Sequence, residues 1–134
     1  FRGKTVLYEE TSVGKQIPFS TSKVGVFKDI PAVFVLIDQG SASASEILAA
    51  ALRDNIGAKL IGAKSFGKGT IQDAKDFKDG SGIHITIAKW LTPNKVWVHG
   101  NGLDPDISVE ITDEDLNNQV DSQLNRALEL AKDF

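Results

Sequence analysis

The sequence predicts a mixed α/β domain with a partly parallel sheet and packed helices. Three observations carry that expectation. A continuous apolar run, Ala32 to Ile37, is followed by Ile47, Leu48, Ala51 and Leu52 at helical spacing and then by a second short run, Ala58 to Gly62. Strand, tight loop, helix, strand is a βαβ unit. Further on, Ile83, Ile85 and Ile87 alternate with His84, Thr86 and Ala88, the period of a strand with two unlike faces. Near the end, Val120, Leu124, Leu128 and Ala131 recur at helical spacing and give one apolar stripe. Strands and helices interleaved in this order make a layered α/β domain.

Taken in order, Val6-Leu7-Tyr8 reads as a strand, and a turn at Gly14-Lys15 returns the chain through Gln16-Ile17-Pro18-Phe19 as a hairpin. Pro18 has no N–H to give to a ladder, so this arm belongs at a sheet edge. Ser20 to Lys28 is polar and reads as loop. The run from Ala32 to Ile37 suits a parallel strand buried on both faces. It stops at Asp38-Gln39-Gly40, and the helix that follows is expected to end at a left-handed cap on Gly57. Ile71 to Phe77 reads as a strand, Asp79-Gly80-Ser81-Gly82 as a turn, and Leu91-Thr92-Pro93-Asn94 as the break after the isoleucine strand. Trp97 to Gly102 is turn-rich. Asp104-Pro105-Asp106 leads into a short strand, Ile107 to Ile111, and Asp121 or Ser122 caps the last helix.

The 134 residues suffice for one domain with a proper core. An apolar share of 41% and a charged share of 25% place the chain among water-soluble globular domains. At a net charge of −3, no basic surface points to nucleic acid, and no apolar run is long enough to span a membrane. The absence of cysteine excludes disulfides, thiolate catalysis and cysteine-bound metal. No methionine occurs, so Phe1 is not a natural start; the chain is expected to be a recombinant piece, a processed product or an internal fragment.

Two segments carry candidate chemistry. Ser43 lies where a buried strand turns into a helix, between Ala42 and Ala44, whose small side chains leave room for a substrate backbone. A hydroxyl there sits beside the unpaired N–H groups and partial positive charge of a helix N-terminus, which would stabilise an oxyanion. The competing reading is structural: Ser43-Ala44-Ser45-Glu46 is also a capping box. Lys68 stands between Gly67 and Gly69, which permit tight backbone geometry. A free lysine, with an ordinary pKa of about 10.4, is a poor base at neutral pH. Desolvation favours its neutral form, which can take a proton from a serine hydroxyl; Phe66 and Ile71 are the expected apolar neighbours. The Gln72 side-chain oxygen is placed to orient the amine. Taken singly, Lys68 also reads as a solvated loop lysine.

Other chemistries fit less well. His84 alternates against the isoleucine face and reads as solvent-facing, His99 sits in a glycine-rich turn, and neither has metal-ligand spacing around it. Gly62 to Lys68 superficially matches a phosphate loop, but Gly69 replaces the required hydroxyl residue and a strand pattern, not a helix, follows.

Val35-Leu36-Ile37, Gly40-Ser41-Ala42-Ser43-Ala44-Ser45-Glu46-Ile47 and Phe66-Gly67-Lys68-Gly69-Thr70-Ile71-Gln72 together resemble the carboxyl-terminal processing peptidases, also called tail-specific proteases. Thr86 to Pro93, Gly102 to Asp106 and the closing helix continue the resemblance, which runs from about Ala32 to the end. It implies a fold related to the Clp-protease and crotonase superfamily and a Ser-Lys dyad that needs no metal or cofactor. By position, Ser43 matches the nucleophile, Lys68 the general base and Gln72 the residue that orients the lysine. Ala44 matches one backbone donor of the oxyanion hole. The spacing, 25 residues from Ser43 to Lys68 and 4 more to Gln72, excludes Ser41 and Ser45 from the nucleophile position.

The resemblance also implies a serine endopeptidase acting near the C-termini of protein or peptide substrates, in the periplasm or cell envelope. Residues 1–134 are then the C-terminal part of the catalytic domain, without the family's PDZ domain and without the upstream segment that gives the second oxyanion donor. Such a fragment is expected to be inactive alone. The alternative is a non-catalytic scaffold or peptide-binding module with a relict site, whose exposed strand edges could also pair two copies as a homodimer. An acyl-CoA enzyme of the crotonase type shares only the fold and has no need of a serine-lysine pair.

Overall fold

The structure is a computed structural model and describes residues 2–23, 25 and 30–134. Part of the expected loop from Ser20 to Lys28 lies outside those residues, and Ser20 itself ends a strand.

The predicted hairpin is β1 (Thr5–Thr11) and β2 (Gln16–Ser20), antiparallel with Glu10 opposite Gln16. β5 (Thr70–Asp76) and β6 (Gly82–Leu91) form a second hairpin, and β1 pairs with β6. The order of this four-stranded antiparallel sheet is β2-β1-β6-β5, so Pro18 lies on an edge strand. The βαβ unit is β3 (Phe34–Ile37), α1 (Ala44–Ile56) and β4 (Lys59–Gly62), with β3 and β4 parallel. β7 (Ile107–Ser108) adds in parallel to the far side of β4. The parallel and antiparallel parts are thus separate sheets of three and four strands.

Helix α1 starts one residue after Ser43 and ends on Gly57 at φ 71°, a left-handed cap whose N–H returns to the Arg53 carbonyl at 3.0 Å. Its buried face is Glu46, Ala49, Ala50 and Ala51, and alanines let the strands approach closely. The core joins both sheets: Ile37, Ala49, Ala50, Leu60, Trp90, Val98 and Leu103, with Leu7, Val35, Ile47 and Ile71 packed around them. Each fully buried large aliphatic there contributes about 1.5–3 kcal/mol.

Four expectations are corrected. β3 is not buried on both faces: it is the edge of its sheet, and Leu36 is 39% exposed. The isoleucine face of β6 is exposed at Ile83, Ile85 and Ile87, because among the described elements only β5 accompanies this end of the strand. β7 stops at Ser108 rather than Ile111, because its partner β4 ends at Gly62 and the Val109 carbonyl is taken by Gln123 Nε2 at 3.0 Å. The last stretch is two helices, α2 (Asp113–Asn117) and α3 (Ser122–Ala131). Thr112 and Asp115 make a capping box on α2, and Asp121 caps α3 by accepting from Leu124 N at 2.8 Å. The buried residues of α3 are Gln123 and Ala127, whereas Leu124 and Leu128 are 44% and 55% exposed.

Candidate active site

The turn before α1 is held by its own side chains. Asp38 Oδ1 accepts from Gly40 N and from the Ser41 hydroxyl, both at 3.0 Å, and Ser41 Oγ accepts from Asp38 N at 3.1 Å. Ser41 is therefore occupied in shaping the turn. Ser45 lies on the exposed side of α1. Ser43, between them, has φ 54° and ψ −110°, a conformation outside the allowed regions of L-residues and open in general only to glycine. Such a residue costs about 1–3 kcal/mol, and strain of this kind gathers at functional sites. It resembles the sharp strand-to-helix turns that lift a serine hydroxyl clear of a sheet. Serine and glutamate stand in a capping box, in which Glu46 Oε2 takes the Ser43 N–H at 2.9 Å. Ala44 is the first residue of α1, where an amide has no intrahelical partner.

The lysine loop, residues 65–69, has no regular structure, yet its backbone groups are almost fully paired. Ser65 N donates to Leu103 O at 3.1 Å and Phe66 N to Ser41 O at 2.9 Å. Gly67 N and Lys68 N both donate to the Glu46 carboxylate, at 2.7 and 2.9 Å. The Gly67 carbonyl accepts from Gly100 N at 3.0 Å, and the Lys68 carbonyl accepts from the Trp90 indole at 2.8 Å. Gly69 O takes Trp90 N at 3.1 Å and the Trp97 indole at 3.0 Å, while Gly69 N reaches His99 Nδ1 at 3.4 Å. Pairing this complete in an irregular segment fixes the backbone as firmly as a strand ladder does.

The flanking glycines have no room for a side chain. A Cβ on Gly67, at φ 88°, would stand 2.7 Å from Gly102 N; one on Gly69 would stand 2.8 Å from both Cβ and N of His99.

Ser43, Lys68 and Gln72 line one cavity of about 360 Å³, together with Ile47, Thr70, Ile71, Ala74, His84 and Trp90. Gln72 reaches it because the β5–β6 register shifts between Ile71 and Gln72, so that consecutive residues both line the cavity. Ile71 is thus the apolar neighbour expected of the lysine. Phe66 is not: it is 65% exposed and lies outside the cavity lining. Lys68 is itself exposed, and the Ser43 hydroxyl and Lys68 amine share no hydrogen bond among the described residues. His84 is exposed, as expected, and also lines the cavity. No cluster of three or more metal-binding side chains occurs among the described residues.

Sequence reasoning missed four supporting groups: Glu46 beyond its capping role, Ser65, and the indoles of Trp90 and Trp97. Their partners are distant in the chain, and no local pattern reports them.

The family model for peptidase family S41 matches residues 1–109. The chain belongs to peptidase family S41. It is 42% identical over 113 residues to the carboxy-terminal processing protease CtpA of Bacillus subtilis strain 168, covering 84% of this chain and 24% of that protein. It is 41% identical over 110 residues to a probable CtpA-like serine protease of Staphylococcus aureus strain N315, covering 81% of this chain and 22% of that one. Among solved structures, the photosystem II D1 C-terminal processing protease superposes with a TM-score of 0.72 at 32% identity, covering 87% of this chain and 31% of that chain. The chain therefore spans about a quarter of the length of the curated relatives it matches. The mixed α/β architecture is that of S41 proteases.

Proposed function

We propose that this chain is the C-terminal part of the catalytic domain of a serine endopeptidase that processes protein substrates near their C-termini. Ser43 is the nucleophile, Lys68 the general base, Gln72 the residue that orients the amine, and Ala44 N–H one oxyanion donor. One observation carries the reading: Ser43, Lys68 and Gln72 line a single cavity at the start of α1, with Ser43 in a strained backbone conformation. Membership of family S41 agrees with it.

The Ser43 hydroxyl passes its proton to Lys68 Nζ as Oγ attacks the scissile carbonyl. The oxyanion of the tetrahedral intermediate lies at the helix N-terminus, against Ala44 N–H. Lys68 returns the proton to the departing amine. The same amine then activates a water that attacks the acyl-enzyme and releases Ser43. A second oxyanion donor is supplied from outside residues 1–134. Loss of one such donor costs about 10²–10³ in rate, so the isolated chain is expected to turn over peptides very poorly. The resemblance to processing proteases supports a location outside the cytoplasm, in the periplasm or cell envelope; no helix among the described residues is long and apolar enough to cross a membrane.

The test is peptide cleavage by the full-length protein carrying this segment. Ser43→Ala and Lys68→Ala should each abolish turnover, and retained cleavage in either would refute the assignment. Robust cleavage by the purified 134-residue chain would contradict the incomplete oxyanion hole.

A further inference from the structure

Among the described residues, the most densely bonded side chain is not one of the residues assigned to chemistry. Glu46 is 0% exposed. Its Oε1 accepts from the Ser65 hydroxyl at 2.5 Å and from Gly67 N at 2.7 Å. Its Oε2 accepts from Ser43 N and from Lys68 N, each at 2.9 Å. A capping box requires one of these four bonds, the return to the Ser43 N–H. The other three lead to the lysine loop.

We propose that Glu46 is a positioning residue, which fixes the nucleophile turn and the lysine loop as one rigid unit. The proposal rests on the Ser43–Lys68 reading above. The backbone N–H groups of the two residues meet on a single oxygen atom, so the separation of their Cα atoms is set by one acceptor. That arrangement also offsets the strain at Ser43, whose N–H would otherwise be left without a partner on a turn that L-residues avoid. From the other side, the Trp90 indole holds the Lys68 carbonyl. The lysine peptide is gripped at both ends while its side chain stays open to the cavity.

All four neighbours donate, and two reach each oxygen, so the site calls for a group that only accepts. Glutamine has the same shape and does not meet this demand. In either orientation its NH₂ faces one of the two donor pairs, and each pair contains a backbone N–H that cannot turn away. Glu46→Gln thus keeps the packing and spoils the clamp. Ser65→Ala does the converse: it removes a buried hydroxyl that bonds Glu46 and accepts from Leu103 N at 2.7 Å, but leaves all three backbone bonds to the carboxylate.

The experiment measures kcat, KM and thermal midpoint in the full-length protein for Glu46→Gln, Glu46→Asp and Ser65→Ala, with Ser43→Ala alongside. A displacement of about 1 Å in a reacting group costs up to about 100-fold in rate, so Glu46→Gln should lower kcat by about 10–100-fold with KM within about threefold. Ser65→Ala should lower the midpoint and hold kcat within about threefold of the parent, since it strains stability and not the clamp. Glu46→Gln at a parental kcat, or Ser65→Ala losing kcat as severely as Glu46→Gln, overturns the proposal. Should Glu46→Gln fail to fold, Glu46→Asp decides: it keeps both acceptors but is one methylene too short to hold both loops, and a parental kcat there overturns the clamp equally. Cleavage surviving in Ser43→Ala is a different result, which sinks the Ser-Lys reading itself.

Discussion

The turn that carries Ser43 and the loop that carries Lys68 face the same cavity but are built in opposite ways. The serine turn is local. Asp38, Gly40 and Ser41 bond to one another, and the helix they lead into is capped within its first turn. The lysine loop is assembled from afar. Its partners are Ser41, Glu46, Trp90, Trp97, His99, Gly100 and Leu103, and almost none of its own residues bond to each other. A nucleophile can be placed by a short stretch of chain because a strand, a turn and a helix already define a direction. A lysine on an irregular loop has no such direction and needs the whole core to supply one.

That contrast can be broken by substitutions that leave every assigned catalytic side chain in place. Gly67→Ala should be the most severe, because the new Cβ meets Gly102 N at 2.7 Å from a left-handed backbone. The combined conformational and steric cost is about 2–4 kcal/mol, visible as a lower thermal midpoint and a loss of peptide cleavage. Trp90→Phe comes next: it leaves the part-buried Lys68 carbonyl without its indole donor, a loss of about 1–3 kcal/mol, and should depress kcat more than KM. Ser41→Ala should cost about 1 kcal/mol, since the Asp38 carboxylate keeps the Gly40 N–H. If Ser41→Ala proves as damaging to turnover as Trp90→Phe, the two regions do not differ as described.

The mildest effect lies away from both. The Asp115 carboxyl is held below its ordinary value of 3.8, first by the Thr112 N–H, then by the Ser122 hydroxyl and the Thr112 hydroxyl. A depressed carboxyl stabilises the fold above its ordinary value, and the contribution is lost as pH falls below it. Acidification below about pH 4 should therefore loosen the link between α2 and α3, read as faster amide hydrogen exchange there.

The same contrast explains what could be read from the sequence. The βαβ unit, both hairpins, the Gly57 cap and the Asp121 cap follow from local patterns, and the structure has them. The last helix shows where pattern fails. Its stripe of Val120, Leu124 and Leu128 is the natural core face, yet Gln123 and Ala127 pack inward. Gln123 packs inward with its Nε2 donating to the Val109 carbonyl, just past the end of β7. Glu46 was legible as a cap but not as a clamp, since nothing local reports that its second oxygen faces Gly67. Phe66, apolar and adjacent to the lysine, was a reasonable choice for its wall; the tightly held loop turns it outward instead.

The central claim is that Lys68 makes Ser43 a nucleophile. Labelling of the full-length protein with a serine-directed acylating probe, mapped by mass spectrometry, tests it most directly. The account predicts modification at Ser43 in the parent and its loss in Lys68→Ala, with Ser41 and Ser45 unlabelled in both. Equal labelling of Ser43 with and without the lysine would contradict it.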